Sequence, residues 1–379
     1  MAKQDTKKDV RAFRICPGSE GEQTSLNVFS LLKQGKSMSA KDIKAATGAE
    51  KEAVADHVNT LVKKDLLKIS GTGIEGLVTF NTEGKKVLGI GFSGEEAILM
   101  VMDLAGNIIT REHIPVDSFL GWKGRNKEVE ALVDTIRKKT GVKGTEISCA
   151  GIAVPDEMDA INPRSAAMLA KGIKSLWRCG VFIAKESTAA AYGESSSQKE
   201  ATVETLLYMH KDIGIGAVVK KEMIFEADEY SDDKRSPYLR PWNQFSVTHT
   251  AKKLIDKGVG TDIVNMANGR VGNVTMEIVL KAADKKDELA EDLVKRSGLA
   301  MGVRVAYLVN LFNADTVVIG GGTEIREGSF IQHVRESASR FVMKDKVDKL
   351  KIVRGVLGKE ASSTGAAALC RRELFMTEV

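Results

Sequence analysis

The sequence is short of the features that mark several common protein classes. It has 4 cysteines in 379 residues, Cys16, Cys149, Cys179 and Cys370, and no CxxC pair. That excludes a zinc knuckle or a thioredoxin-like redox motif and leaves free thiols as the expectation. No apolar run approaches the ~18–20 residues of a membrane span. The opening MAKQDTKKDVRAFRICPGSE is polar and lacks the apolar centre of a signal peptide, so the expected location is the cytoplasm, with no membrane partner. Only 6 prolines stand against 35 glycines, and 43% of residues are hydrophobic. These values suit a globular chain with many tight turns, and its length suggests two or three domains at roughly 100–200 residues each.

Charge is nearly balanced, 56 basic against 51 acidic side chains. Its placement is uneven. Residues 1–87 hold 15 Lys/Arg and 11 Asp/Glu, a net of 15 − 11 = +4, while the remaining 292 residues net +1. An N-terminal excess of positive charge is compatible with a nucleic-acid partner.

Residues 1–22 read as a flexible tail, rich in charge and poor in apolar residues. A winged helix-turn-helix is expected over 23–83. Leu26, Phe29 and Leu32 recur at helical spacing before Gly35. Ser39 with Asp42 forms a capping-box signal, and Ile43 and Ala46 supply an inner face. Val54, Val58, Leu61 and Val62 then give a clean amphipathic stripe. Helix, short helix, turn and helix, followed by LLKIS–GTGIEG–LVTFN as two strands around a glycine tip, is the winged pattern. In that arrangement the third helix lies in the major groove. Lys51, His57, Asn59 and Thr60 are the candidates for base edges, and Lys63, Lys64 and Lys68 for phosphates. Glu50, Glu52 and Asp56 on the same helix repel phosphate, and the wing tip has no basic residue, so a protein-contact role for the module stays open.

From residue 84 the texture becomes α/β. VLGIGFS, EAILMVMDL and NIITREHIPV read as three strands. A helix over KEVEALVDTIRKKTG follows, with Val129, Leu132, Val133 and Ile136 on its apolar face. ISCAGIAVPDEM and VFIAKES are further strands, the second feeding a helix in KESTAAAYGE that is entered through Ser187 or Thr188. This βββαβαβα order is not an all-parallel dinucleotide fold. A second lobe, expected over 201–379, repeats the theme. TLLYMHKDIGIGAVVKKEMIF turns at glycine, TVVIGGGTEI ends in three glycines, and a helix is expected from about Ser329. A final helix, about 361–377, is expected to pack back on the first lobe (84–200).

The order of motifs resembles the ROK family (repressors, open reading frames, kinases). GIGFSGEEAILMVMDLAGNII is similar to its first phosphate-binding hairpin and GIAVPDEMD to its G-x-x-V-P-G-x-[VI]-D turn. KESTAAAYGE resembles N-D-A-N-A-A-A-L-G-E, and DIGIGAVVKKEMI resembles the second phosphate loop. VVIGGG is similar to the adenosine-side glycines, and LGKEASSTGAAAL to the closing helix. The resemblance covers about residues 24–375. It implies an actin-like (ribonuclease-H-like) ATPase fold in two lobes behind the winged helix, the arrangement of the family's repressor branch. It also implies operator DNA as a partner, a sugar-like effector, and a homodimer or higher homo-oligomer.

The chemistry of the family's kinases is poorly matched. Where the resemblance implies D-x-G-G-T, this chain has GIGFSGE, with Gly89 or Gly91 near the acid position and Ser93 as the small hydroxyl. Ile213 replaces the threonine of the second loop. The Asn-Asp-Ala-Asn run becomes Lys185, Glu186, Ser187 and Thr188, so the base position holds a glutamate one methylene longer. Phosphoryl transfer depends on positioning, and a misplacement of ~1 Å is costly. The zinc motif, one His and three Cys, has no counterpart between Ile224 and Leu254, where His249 stands alone. Glu226, Asp228 and Glu229 read as a solvated acidic loop, with remnants of the family's sugar contacts as the alternative, and Tyr230, Tyr238, Trp242 and Phe245 as packing, with stacking on a ligand as the alternative. No zinc or Mg-ATP is expected, no metal site and no catalytic residue. Ligand-lining candidates are Ser93, Lys185, Glu186, Thr188, Gly214, Gly216, Gly320, Gly321 and Gly322, the glycines being suited to close backbone approach. The expectation is a transcriptional regulator with an inactive sugar-kinase-like domain. A scaffold protein and a working sugar kinase are the alternatives.

Overall fold

The computed structural model describes residues 11–14, 16–33, 37–47, 51–71, 76–93, 96–116, 126–142, 146–156, 163–197, 203–210, 214–220, 223–226, 247–321 and 328–376. The chain divides into two compact units. The first comprises Met1–Lys199, Glu222–Ile224 and Ser362–Val379; the second comprises Glu200–Lys221 and Phe225–Ala361.

Residues 11–22 correct the expected tail. Strand β1 (Arg11–Ala12) adds in parallel to strand β9 (Gly180–Lys185), Arg11 opposite Phe182. Phe13 is buried and stacks on Phe182 with ring centroids 5.1 Å apart. Helix α1 (Glu20–Lys33) begins earlier than the apolar stripe suggested. The reason is its cap: Ser19 Oγ accepts the Glu22 N–H, and the Glu22 carboxylate accepts Gly18 N–H at 2.6 Å. Burial pushes the Glu22 carboxyl up, but the Gly18 N–H and the Arg14 guanidinium outweigh it and hold the group below its ordinary range.

Helices α2 (Ala40–Thr47) and α3 (Lys51–Lys63) follow, with a three-stranded sheet in the order β2 (Met38–Ser39), β4 (Leu77–Phe80), β3 (Leu67–Ser70). The capping box forms as expected: Ser39 N–H donates to Asp42 Oδ2, and Asp42 N–H donates to Ser39 Oγ. Ile43 is buried, whereas Ala46 is exposed. Leu26, Phe29, Leu32, Val54, Val58, Leu61, Leu66 and Val78 form one core, and Leu104, Phe375 and Met376 from elsewhere in the first unit complete it. The winged helix therefore shares its hydrophobic core with the α/β part of that unit.

That α/β part is built on a six-stranded sheet in the order β1, β9, β8 (Ile147–Val154), β5 (Lys86–Ser93), β6 (Glu96–Asp103), β7 (Ile108–Pro115). Strands β5, β6 and β7 make an antiparallel meander, and β8 and β9 join in parallel. Helices α4 (Asn126–Thr140), α5 (Pro163–Trp177) and α6 (Glu186–Ser197) complete the anticipated βββαβαβα order. Near-continuous burial of β5 and β6 shows a sheet covered on both faces. Three of the cysteines gather in this interior: Cys149, Cys179 and Cys370 are buried, and only Cys16 is exposed. Burial, then the neighbouring Cys149, pushes the Cys179 thiol up to about 12.

The second unit has a five-stranded sheet in the order β12 (Met223–Glu226), β11 (Gly214–Val219), β10 (Thr205–His210), β13 (Thr316–Gly320), β14 (Lys351–Arg354). Around it stand α7 (Val247–Asp256), α8 (Asp262–Met266), α9 (Met276–Asp284), α10 (Glu288–Phe312), α11 (Ser329–Phe341) and α12 (Lys344–Val347). Asp287 caps the 25-residue α10 by accepting Ala290 N–H, and it also accepts Asp262 N–H and the Thr261 hydroxyl. Burial opposes ionisation of Asp287, but these donors prevail and keep its carboxyl below the usual range. Asn313 ends the helix in the left-handed conformation.

The last helix, α13 (Ala361–Met376), lies with the first unit. It is buried along nearly its whole length. No helix among the described residues is long and apolar enough to cross a membrane.

Candidate functional site

In the winged module, α3 turns Val54, Val58 and Leu61 inward. Its exposed positions among the residues with described side chains are Asp56, Asn59 and Lys63, with Thr60 half-buried beside them. Asn59 and Lys63 are four apart and share the outer face. Thr60 uses its hydroxyl on the Asp56 carbonyl, 2.8 Å away. His57 departs from the DNA-facing role assigned to it. Its ring lies against Gly21 of α1, only 3.1 Å from where a Cβ would stand, and its Nδ1 is buried. The helical period explains this: position 57 sits between the inner and outer faces of α3. Lys68 in β3 is exposed but ion-paired to Glu83, and Lys64 is half-buried. The Lys51 side chain and the wing tip over 72–75 lie outside the described residues.

The ligand candidates fall into two groups, one in each unit. In the first unit, β5, β8 and β9 are parallel, so their carboxyl ends lie along one edge of the sheet. Ser93 closes β5, half-buried and opposite Glu96. Lys185 closes β9 and is buried, and Glu186 follows it directly as the first residue of α6. The helix is therefore not entered through Ser187 or Thr188. Its N-terminus is instead satisfied by Asp156 at the end of β8, whose carboxylate accepts both the Ser187 N–H, at 3.1 Å, and the Ser187 hydroxyl. Glu186 and Thr188 are buried. The Asp156 and Glu186 carboxylates lie within 4.8 Å of each other. Sequence reasoning missed Asp156. It stands where the family motif has glycine, and only the parallel pairing of β8 with β9 brings it to α6.

In the second unit the central strand β10 carries Tyr208 and His210, whose rings stack with centroids 5.8 Å apart. His210 lies opposite Gly214 on one side and Gly320 on the other, and Gly216 lies opposite Tyr208. Gly214, Gly216 and Gly320 thus gather at one end of the sheet. Gly320 is pressed by the Tyr208 ring: a Cβ there would overlap the phenol oxygen. Gly321 has φ +75, which favours glycine. Gly322, Ile213 and the 227–246 stretch with its acidic and aromatic residues lie outside the described residues. His249 is exposed on α7.

Carboxyl ends of parallel strands, helix N-termini and glycine turns are the usual materials of a ligand site in an α/β protein. The ROK family model matches residues 259–373. The chain carries a ROK family domain. A xylose repressor of Caldicellulosiruptor bescii is 21% identical over 376 residues, covering 88% of this chain and 93% of the repressor. The DNA-binding transcriptional dual regulator NagC of Escherichia coli K12 is 20% identical over 378 residues and covers 93% of each chain. Among solved structures, a ROK family transcriptional regulator described as a homologue of the E. coli MLC protein superposes with a TM-score of 0.69. The match covers 94% of this chain and 97% of that one at 17% identity. A ROK family glucokinase from Streptomyces griseus, solved with glucose and AMPPNP, gives a TM-score of 0.57 over 76% of this chain and 99% of its own, at 19% identity. The ROK resemblance and the winged, actin-like α/β fold expected from the motifs are thus found.

Proposed function

We propose that the protein is a ROK-type transcriptional regulator of the cytoplasm that binds operator DNA through its winged helix and answers to a sugar-like effector. The observation that carries this reading is the shared core. Leu104, Phe375 and Met376 of the α/β part complete the hydrophobic interior of the winged module. A module built into the domain in this way can have its DNA affinity altered by what the domain binds, provided the effector prefers one of two conformations. The repressors among its relatives support the same reading.

Asn59 and Lys63 are the residues assigned to DNA on α3, with Lys51 at its start. No phosphoryl transfer is assigned, and neither zinc nor Mg-ATP is assigned as a cofactor. The support is chemical: a glutamate stands at the base position and its neighbour Ser187 is committed to Asp156. One observation favours a second reading, a protein-contact module: Asp56 is exposed on the outer face of α3.

The test is a gel-shift titration of the chain on the region upstream of its own gene, at several salt concentrations. The regulator reading requires specific binding whose affinity falls steeply with salt, as phosphate neutralisation demands, and that is weakened by Lys63→Ala. Salt-independent or absent binding would favour the protein-contact module. A thermal-shift screen of sugars and sugar phosphates then identifies the effector class.

A further inference from the structure

The candidate ligand edge of the first unit carries fixed charge, and the arrangement of that charge is informative. Three mutually parallel strands end there, β5, β8 and β9. Their ends and the start of α6 bring Ser93, Asp156, Lys185 and Glu186 to one side of the sheet. Lys185 and Glu186 are buried, and Asp156 is half-buried. The Asp156 and Glu186 carboxylates lie within 4.8 Å of each other. Lys185 is the only basic side chain among the described residues at these three strand ends. Two carboxylates against one ammonium leave a formal charge of −1.

The donors that would attract an anion are committed as well. A helix N-terminus ordinarily binds the anionic group of a ligand, because its first N–H groups are free and its dipole is positive there. Helix α6 has 12 residues, but its positive end is filled from within the chain. Asp156 accepts the Ser187 N–H at 3.1 Å and the Ser187 hydroxyl too. Glu186 adds a second carboxylate in the first turn. The chain thus sets its own anion where a ligand's phosphate or carboxylate would sit. Glycine, which the family motif has in place of Asp156, would leave that end of the helix open.

Uncharged groups fit the same edge. Carboxylate oxygens accept O–H donors and the Lys185 ammonium donates, so sugar hydroxyls are served without any charge on the ligand. An amine on the sugar meets the net negative charge directly. A phosphate or carboxylate would meet two like charges with one base to offset them, in a partly buried place that salt screens poorly.

We propose that Asp156 is a specificity-determining residue of this edge. It closes α6 to anions, so the effector is a sugar bearing hydroxyls or an amine and no phosphate or carboxylate group. The inference deepens the regulator reading and rests on it for the effector, whereas the closure of α6 is a property of the first unit alone.

Inorganic phosphate is the first probe, titrated by calorimetry into the full chain at constant ionic strength. Asp156→Gly frees the Ser187 N–H and removes the charge, and it is expected to bind phosphate about 10-fold or more tightly than the wild type does. Asp156→Asn keeps a capping side chain and removes only the charge. It is expected to gain less, and it decides the matter if the glycine variant loses its circular dichroism spectrum. A wild type equal to both variants in phosphate binding would overturn the proposal. The second probe is a matched series of D-glucose, D-glucosamine, D-xylose, D-glucose 6-phosphate and D-glucuronate, read by thermal shift. Only the first three are expected to stabilise the wild type, and the two anionic sugars should gain on glucose in Asp156→Gly. A wild type that prefers glucose 6-phosphate or glucuronate to glucose would sink the idea. If no sugar binds but both variants gain phosphate, the effector part of the regulator reading falls and the closure of α6 stands. A failed gel shift counts against the DNA reading alone.

Discussion

Both units carry glycines on the strands where the family motifs place phosphate loops, but different things press on them. In the first unit the neighbour is backbone. A Cβ at Gly89 would overlap the Ser363 carbonyl, one at Gly91 would stand 2.7 Å from the Ser363 backbone nitrogen as well as against the Ser362 hydroxyl, and one at Gly151 would stand 2.6 Å from the Ala366 carbonyl. All of these atoms belong to α13, and Gly365 of α13 in turn presses on the Ala189 carbonyl of α6. In the second unit the neighbour of Gly320 is a side chain, the Tyr208 ring. Glycine therefore serves helix docking in one sheet and room for a ring in the other. The phosphate role inferred from the motifs is not needed to explain either.

The difference is consequential because α13 does two jobs. Its first turns lie on β5 and β8 at the glycines. Its last turns hold the winged helix. Arg371 donates to the Leu104 carbonyl at 3.0 and 2.8 Å, and its guanidinium sits 5.5 Å from the Phe29 ring centre and 5.7 Å from that of Phe80. Gly106, at φ +95, leaves the space Arg371 occupies. Arg372 donates to the Arg14 carbonyl, and Arg14 bridges Glu22 and Glu373. One helix thus touches both the candidate ligand edge and the winged module.

The largest effect should come from Gly365→Ala. Backbone cannot step aside, so the substitution is expected to destabilise the first unit by about 3 kcal/mol, the upper range for overpacking. No single side-chain change in α6 should restore it. Urea unfolding within 0.5 kcal/mol of wild type would break the contrast. Gly320→Ala should cost about 2 kcal/mol in the second unit, and here Tyr208→Leu in the same chain should recover most of the loss. A double variant no better than the single one would place the strain elsewhere.

Arg371→Met keeps length but removes the buried donors and the cation over two rings. A loss of about 1–3 kcal/mol is expected, read as faster amide exchange in α1 and β4 with β8 and β9 unaffected. Uniform acceleration would show that the winged helix is not a separately releasable part. A smaller effect concerns pH. Glu22 has a folded-state pKa below its unfolded one, so its stabilisation is complete above the ordinary carboxylate value. It is lost as pH falls through the folded value. Glu22→Gln should flatten the acid side of a pH–stability profile, and an unchanged profile would remove Glu22 as the acid-sensitive tie. Smallest of all, Ellman's reagent should label one thiol rapidly, Cys16, while the three buried thiols wait for unfolding. Rapid labelling of a second would mean that α13 lifts from β8.

Much of the architecture was legible in the residues. The winged-helix stripe, the Ser39–Asp42 box, the three-strand meander and the helix at Ser329 follow from local periodicity and capping, which depend only on near neighbours in sequence. The long helix α10 and strand β14 were not anticipated. The first carries two glycines that weaken its propensity, and the second is only four residues long. The site was less legible still. His57 is amphipathic by position, so its direction depended on how α1 crosses α3. Asp156 looked like a turn residue until β8 paired beside β9.

The sequence by itself determined the order and kind of the elements, because apolar spacing and end signals act over a few residues at a time. Tertiary structure decided what those elements are for. Arg11 and Ala12 joined the sheet, beside Phe13, which had Phe182 to stack on. The glycines became docking sites because α13, some 270 residues later than β5, returns to lie on them. And α13 reached the winged helix because Arg371, Phe375 and Met376 meet Phe29 and Phe80 across more than 290 residues of chain, a contact no local pattern encodes.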